Sequence, residues 1–455
     1  MPGPVRIKAG AVLGTLALVL PLFGTGHLLA QGVTLNLDFG QRLESVSDDD
    51  SEDDGVRTRT NLGFNLQSVT RSQTLTLAGQ TGLVYNFSDD TDGFDVESPR
   101  LALGYQRQSR NTAFRFGVSY REVDVDDSVF VVDPETEELD LVSGEGQRRT
   151  LSYNTSLSLG REGPLRSELS YSYTDVTYSG TTDPSLDDGV TQRVNARVNF
   201  RITPTLDTSV FASWRDTDEE EPGGTDTTTF SIGVGADYQV NARTLLIARL
   251  SYDDNESVRD GEITRDTNGL GGSIGVSRAM PNGTLGFRIS QAETVNGTRN
   301  QAQVSRQFEL QRGELGFTLG ATKTEGFSTQ PLVNIVWTYG VDKFSNLTLN
   351  LGQSASTTSE NVETVRTRLG IEYTRALTER SSLSSGLQFV DQDVLSDGGD
   401  DQSSIRLNVT YRHAVGDEWN LVSGVSYSTS RRDTREDEDS STIFVGLEKS
   451  FSFRP

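Results

Sequence analysis

Arginine is the residue type through which this sequence could recognise something. Arg57, Arg59, Arg100, Arg115, Arg193, Arg197, Arg288, Arg366, Arg368 and Arg406 alternate with apolar neighbours, as do Arg215, Arg249 and Arg412. A guanidinium stays charged at any physiological pH and grips carboxylate or phosphate with a planar fork of donors. Fewer acids share the phase, among them Glu168, Glu309, Glu314 and Glu372. Two outcomes are open: a basic wall that favours an anionic or polyhydroxylated solute, or a ladder of Arg paired with Asp and Glu that braces the wall. The rest of the composition closes off other chemistry. There is no cysteine, which removes thiolate metal sites, disulfides and cysteine nucleophiles. His27 and His413 are the only histidines, and His413 shares the phase of Ile405, Leu407, Val409 and Tyr411. No enzyme activity and no cofactor are expected.

The acids are clustered. Asp48, Asp49, Asp50, Glu52, Asp53 and Asp54 precede Gly55, and Asp89, Asp90 and Asp92 precede Gly93. Such groups suit Ca²⁺ or Mg²⁺, but Asn61 stands where a calcium loop would place its last glutamate. Solvated, self-repelling loops without bound metal are the expectation. The formal net charge of −24 argues against a nucleic-acid partner, which needs clustered Lys and Arg. Gly271–Gly272 and Gly398–Gly399 lack the strand-to-helix setting of a phosphate loop.

The elements that must carry these arginines are strands. Residues 1–30 read as a signal peptide, with Arg6 and Lys8 before an apolar stretch over 11–23 and a small Ala30 at the cut. Residues 31–455 form one further unit. From Val33 onward apolar residues recur at every second position: Val33, Leu35, Leu37 and Phe39, then Leu62, Phe64 and Leu66, and so on to Ile405, Leu407, Val409 and Tyr411. Ten short polar turns alternate with eleven longer acidic links, 253–267 and 294–299 among them, which implies 22 strands, within a range of 18–24. The longest link, 124–147, contains the apolar run 129–132 and either folds inward as a constriction or stands outside. The positions between the apolar ones are rich in Gly, Ser, Thr, Asn, Gln and Arg, unlike the lysine-bearing face of a soluble sheet. Aromatic residues gather at strand ends. Tyr85, Tyr120, Tyr171, Tyr173, Trp214, Tyr252 and Tyr427 adjoin long links, and Trp337, Tyr339, Tyr373, Tyr411 and Trp419 adjoin short turns. The fold class expected is all-β, a transmembrane antiparallel up-and-down barrel.

The last strand adds a further sign: Ile443, Val445, Leu447, Phe451 and Phe453 share one face, interrupted by Lys449. On this pattern residues 32–453 resemble a Gram-negative outer-membrane β-barrel, either porin-like or of the kind associated with exopolysaccharide export. The resemblance implies an outer-membrane location, lipid and lipopolysaccharide around the barrel, and the assembly machinery that inserts such proteins. It also implies a channel or export pore for a polysaccharide or small anionic solute. The alternative is a structural or adhesive surface barrel that transports nothing. Barrels of TonB-dependent receptors share the strand number but follow a plug domain. Here the first strand comes directly after the leader, so no plug is expected.

Overall fold

A computed structural model describes residues 32–48, 55–87, 93–125, 131–132, 139–140, 146–181, 186, 188–219, 224–357, 362–395, 401–416, 418–432 and 437–454. The expected signal peptide, both aspartate clusters except Asp48, and most of the 124–147 link lie outside them.

Among the described residues every regular element is a β-strand. In chain order they are β1 (Val33–Asp48), β2 (Gly55–Val69), β3 (Gln73–Asn86), β4 (Gly93–Gln108), β5 (Thr112–Asp124), β6 (Val131–Val132), β7 (Leu139–Asp140) and β8 (Gln147–Leu159). There follow β9 (Leu165–Ser179), β10 (Gly189–Thr203), β11 (Leu206–Glu219), β12 (Thr225–Asn241), β13 (Thr244–Arg259), β14 (Glu262–Met280), β15 (Gly283–Thr294) and β16 (Gly297–Leu310). The chain closes with β17 (Gly313–Thr324), β18 (Gln330–Gly340), β19 (Ser345–Thr357), β20 (Glu363–Thr378), β21 (Ser381–Val394), β22 (Gln402–Val415), β23 (Trp419–Arg432) and β24 (Glu438–Phe453). β6 and β7 form a separate two-residue ladder inside the long link. The other strands make one 22-stranded antiparallel sheet in chain order, and β24 pairs with β1 from Leu35↔Phe453 to Asp48↔Ser440. That last pairing closes the cylinder and leaves no unpaired edge, as a hydrocarbon setting demands.

Strands of 11 to 19 residues exceed the roughly 9–11 needed to cross a bilayer. The surplus lies at the long-link rim, and it corrects one expectation. Residues 253–267 read as a long acidic link, yet β13 and β14 run on through them to a tight turn at Asp260–Gly261. Likewise 294–299 is only a two-residue turn at Val295–Asn296. Apolar alternation stops where lipid stops, whereas backbone pairing goes on into water.

Two faces follow from the register, because side chains point alternately to opposite sides. One carries the apolar rows: Leu37 lies opposite Phe64 and Phe451, and Leu103 opposite Leu77 and Val118. The other carries the arginines. Side chains converge on the concave side of a curved sheet, and the ion pairs that skip a strand fall on the polar face. Examples are Arg59 of β2 with Glu97 of β4, Arg166 of β9 with Asp207 of β11, and Arg412 of β22 with Glu448 of β24. The polar face is therefore the inner one. Buried apolar side chains among the described residues are few and scattered, such as Val84, Val390 and Val422. The apolar rows instead stay exposed, with Leu250 at 55% and Ile274 at 64%. A water-soluble sheet would hide such rows. Here they need hydrocarbon to cover them.

Two aromatic belts border that surface. Trp419 of β23 packs edge-on against Phe39 at 6.4 Å near the short-turn rim, and Trp337 stacks on Tyr339 at 5.5 Å. Tyr153 contacts both Tyr171 and Tyr173 nearer the long links, at 5.5 and 4.9 Å. From Trp419 to Tyr427 is eight residues. At about 3.4 Å per residue and a tilt near 40°, that is roughly 20 Å along the axis, close to the ~25 Å apolar band of such barrels. Amphipathic rings sit at the headgroup level.

Candidate functional site: the inner wall

Continuous register places all ten singled-out arginines on the inner face. What they meet there differs. Arg57 and Arg59 belong to a network at the β1–β2–β4 wall: Arg57 donates to Glu44 at 3.1 Å and lies 3.6 Å from Glu97, while Arg59 bonds Glu97 and lies 3.7 Å from Glu44. Glu44 and Glu97 are buried, at 3% and 7% exposure. Next to them Arg42 donates to Glu448 at 2.6 Å, and Arg412 reaches the same carboxylate at 3.0 Å. A further pairing braces β9 to β11, where Arg166 and Arg201 share Asp207. Arg249 pairs with Asp237 at 2.7 Å.

The remaining arginines have softer surroundings. Arg366 donates through Nε and Nη2 to Gln392 at 3.2 and 2.9 Å, and Arg288 donates to Ser273 at 3.3 Å. The Arg197 guanidinium lies over the Phe211 ring at 5.7 Å, although Glu168 is its register partner. Arg193 stands opposite Arg215. Arg368 faces Gly352 and Val390, and Arg406 faces Gln388 and Ser428. Arg115 is flanked by Gln106 and Ser156, and Arg100 stands opposite Arg121.

Several of these groups escape a reading of the sequence. Glu44 and Glu448 have the inner phase, each beside an outward leucine, so their parity was legible. Glu97 was not, because a register shift between Gln80 and Gly82 brings Glu97 and Arg100, three apart in sequence, to the same face. Ser98 at φ 49° and Pro99 mark that bulge. Arg121 has the inner phase beside outward Tyr120, yet its pairing with Arg100 depends on register alone. With these acids counted, part of the wall's positive charge is paired, as a bracing ladder requires.

The wall formed by β24 and β1–β5 carries a recess of about 790 Å³. Its floor is made of small side chains, Gly40, Gly63, Ala78 and Ala102, and its sides of Arg59, Arg100, Arg121, Asn61, Asn65 and Gln80. At the short-turn rim the outer face has its own cation. Lys449 bonds Glu418, and its ammonium lies 5.4 Å from the Trp419 ring and 4.5 Å from that of Phe451. A lysine that interrupts an apolar row is tolerated when its ammonium finds aromatic faces and a carboxylate. The hydrogen bond from Lys449 holds the Glu418 carboxyl below the usual glutamate range. His413 stacks on Tyr411 at 6.3 Å, on the outer face.

No family model matches the chain, and no curated protein matches it. Solved structures do. A ferric enterobactin receptor from Pseudomonas aeruginosa, in complex with enterobactin, is 11% identical over 93% of this chain and 82% of its own, with a TM-score of 0.56. The ferric-catecholate import receptor of E. coli K12, in its open form, is 10% identical over 93% and 82%, with a TM-score of 0.59. A copper transporter is 12% identical over 92% and 80%, with a TM-score of 0.54. At such identities the likeness is one of fold. Taken with the closed 22-stranded sheet and its exposed apolar belt, it makes this chain an outer-membrane β-barrel.

Proposed function

We propose that the barrel is a passage for hydrated solutes across the outer membrane, and that the solutes it favours are anionic or polyhydroxylated. The observation that carries the reading is the inner wall itself. It is lined by arginine, amide and hydroxyl groups, without a continuous apolar core among the described residues. A cylinder of this strand number encloses more space than its own side chains fill. The similar structures, a ferric enterobactin receptor, a ferric-catecholate import receptor and a copper transporter, support transport at a coarse level. The ion-paired arginines brace the wall, so selectivity falls to guanidinium groups such as Arg100, Arg115 and Arg121, which meet no carboxylate among the described residues. An acidic polysaccharide or a smaller sugar acid fits that chemistry. In this reading the partners are membrane lipid and lipopolysaccharide around the belt, together with the machinery that inserts such barrels, and no catalytic step is assigned.

Planar-bilayer recording of the purified full-length protein tests it. The expected result is a stable conductance whose reversal potential in a salt gradient shows anion preference, reduced in Arg100→Gln and Arg115→Gln. A protein that inserts but stays silent would overturn the passage and favour a structural surface barrel. Cation preference unaffected by either substitution would remove the anion.

A further inference from the structure

We infer that the recess in the β1–β5 wall is a binding site for a sugar acid, with Arg100 and Arg121 holding its carboxylate. This rests on the passage reading only in making the ligand a solute in transit. Arg100 and Arg121 are cross-strand partners on the inner face. Like charges directly opposite one another destabilise a sheet, since the two β-carbons are only about 5 Å apart. The same wall shows how this chain otherwise treats the problem. Arg42 and Arg59 are also directly opposite, and each has carboxylates: Glu448 for Arg42, and Glu97 with Glu44 for Arg59. Among the described residues, Arg100 and Arg121 have neither a carboxylate nor a hydrogen-bond acceptor for their side chains. Both side chains are exposed to the interior. The nearby acids are already engaged: Glu97 by Arg57 and Arg59, Glu448 by Arg42 and Arg412, and Asp38 by the Ser450 hydroxyl at 2.6 Å.

Two adjacent forks with no internal counter-ion are therefore arranged for an oxyanion from outside. The rest of the recess gives the class. Asn61, Asn65 and Gln80 line it with amides that both donate and accept, as sugar hydroxyls require. Gly63, Ala78 and Ala102 keep its floor low enough for a ring to lie against the wall. Its volume of about 790 Å³ is within the usual range for small-ligand sites.

The test is direct binding to the full-length barrel in detergent micelles, read by saturation-transfer NMR, with glucuronate, glucose and inorganic phosphate as probes. Glucuronate is expected to bind saturably and glucose not to bind. Arg100→Gln and Arg121→Gln should each weaken glucuronate by roughly tenfold or more, the usual scale for a charged hydrogen bond. Arg312→Gln, in the short turn between β16 and β17, should leave it unchanged. Neither recess variant should lower the urea midpoint, since each relieves a repulsion, so loss of binding cannot be blamed on unfolding. Phosphate binding as tightly as glucuronate would overturn the sugar-acid assignment. Glucuronate binding that is absent, or unchanged in both recess variants, would overturn the site. A conducting barrel that ignores glucuronate removes this site alone, and a silent barrel that binds it removes the passage alone.

Discussion

Replacing Leu103 by arginine probes whether the apolar rows face lipid. Leu103 is on the outer face of β4, with Leu77 and Val118 as its register partners. It lies five residues before the strand ends at Gln108. At about 3.4 Å per residue and a tilt near 40°, that puts it ~13 Å above the short-turn rim. Half of a ~25 Å apolar band is the same height, so the substitution falls near the midplane, where arginine costs about 2–4 kcal/mol. The matched control must face inward at a similar height without meeting another arginine. Gln106 fails this, because Arg115 is its cross-strand partner and the like-charge pair would itself cost up to about 1 kcal/mol. Thr76 is better: its partner is Gly104, where an added Cβ would meet nothing within 4 Å. Thr76→Arg should stay within about 0.5 kcal/mol of the parent, as surface substitutions do. Reversible urea unfolding in lipid vesicles measures both. Equal losses at the two positions, or a larger one at Thr76, would refute the assignment of faces.

Other expectations are local. The Glu363 carboxylate, 1% exposed, accepts from Arg299 Nη2 through both oxygens at 2.7 Å and from Thr324 and Thr357 at 2.9 Å. Glu363→Ala strands Arg299 and should cost about 3 kcal/mol, the low end for a broken buried pair because the Arg299 side chain is 20% exposed. Adding Arg299→Leu should recover much of that, and an additive double variant would contradict the coupling. Gly160 turns at φ 69°, and a Cβ there would come 2.0 Å from the Leu165 carbonyl oxygen. Gly160→Ala should therefore cost at least about 1–2 kcal/mol, read as a lower urea midpoint. The depressed Glu418 carboxyl contributes stability that is present above the ordinary glutamate range and lost as pH falls through its lowered folded value. Lys449→Met should flatten that part of the acid titration of stability. An unchanged acid limb would show that the pair contributes nothing.

The reach of the sequence can be judged residue by residue. Alternation gave the inner phase to Arg57, Arg193 and Arg406 and the outer phase to Trp214 and Tyr427, and register agrees in each case. It misjudged 253–267, where acids stand on paired backbone above the lipid. It missed Glu97, whose phase is inverted by the bulge at Ser98–Pro99. It left Arg100 and Arg121 as two separate residues.

Read alone, the sequence determined the strand count, the phase of nearly every side chain and the need for hydrocarbon around the cylinder. Each of these is local: period two is a property of a single extended chain, and a turn is written in the few residues that make it. Which arginines are neutralised was decided only by tertiary structure. Arg59 finds Glu97 across β3, and Arg42 finds Glu448 some four hundred residues away, through the β24–β1 seam that closes the barrel. Stagger and bulges set those partners, and both are summed over the whole circumference.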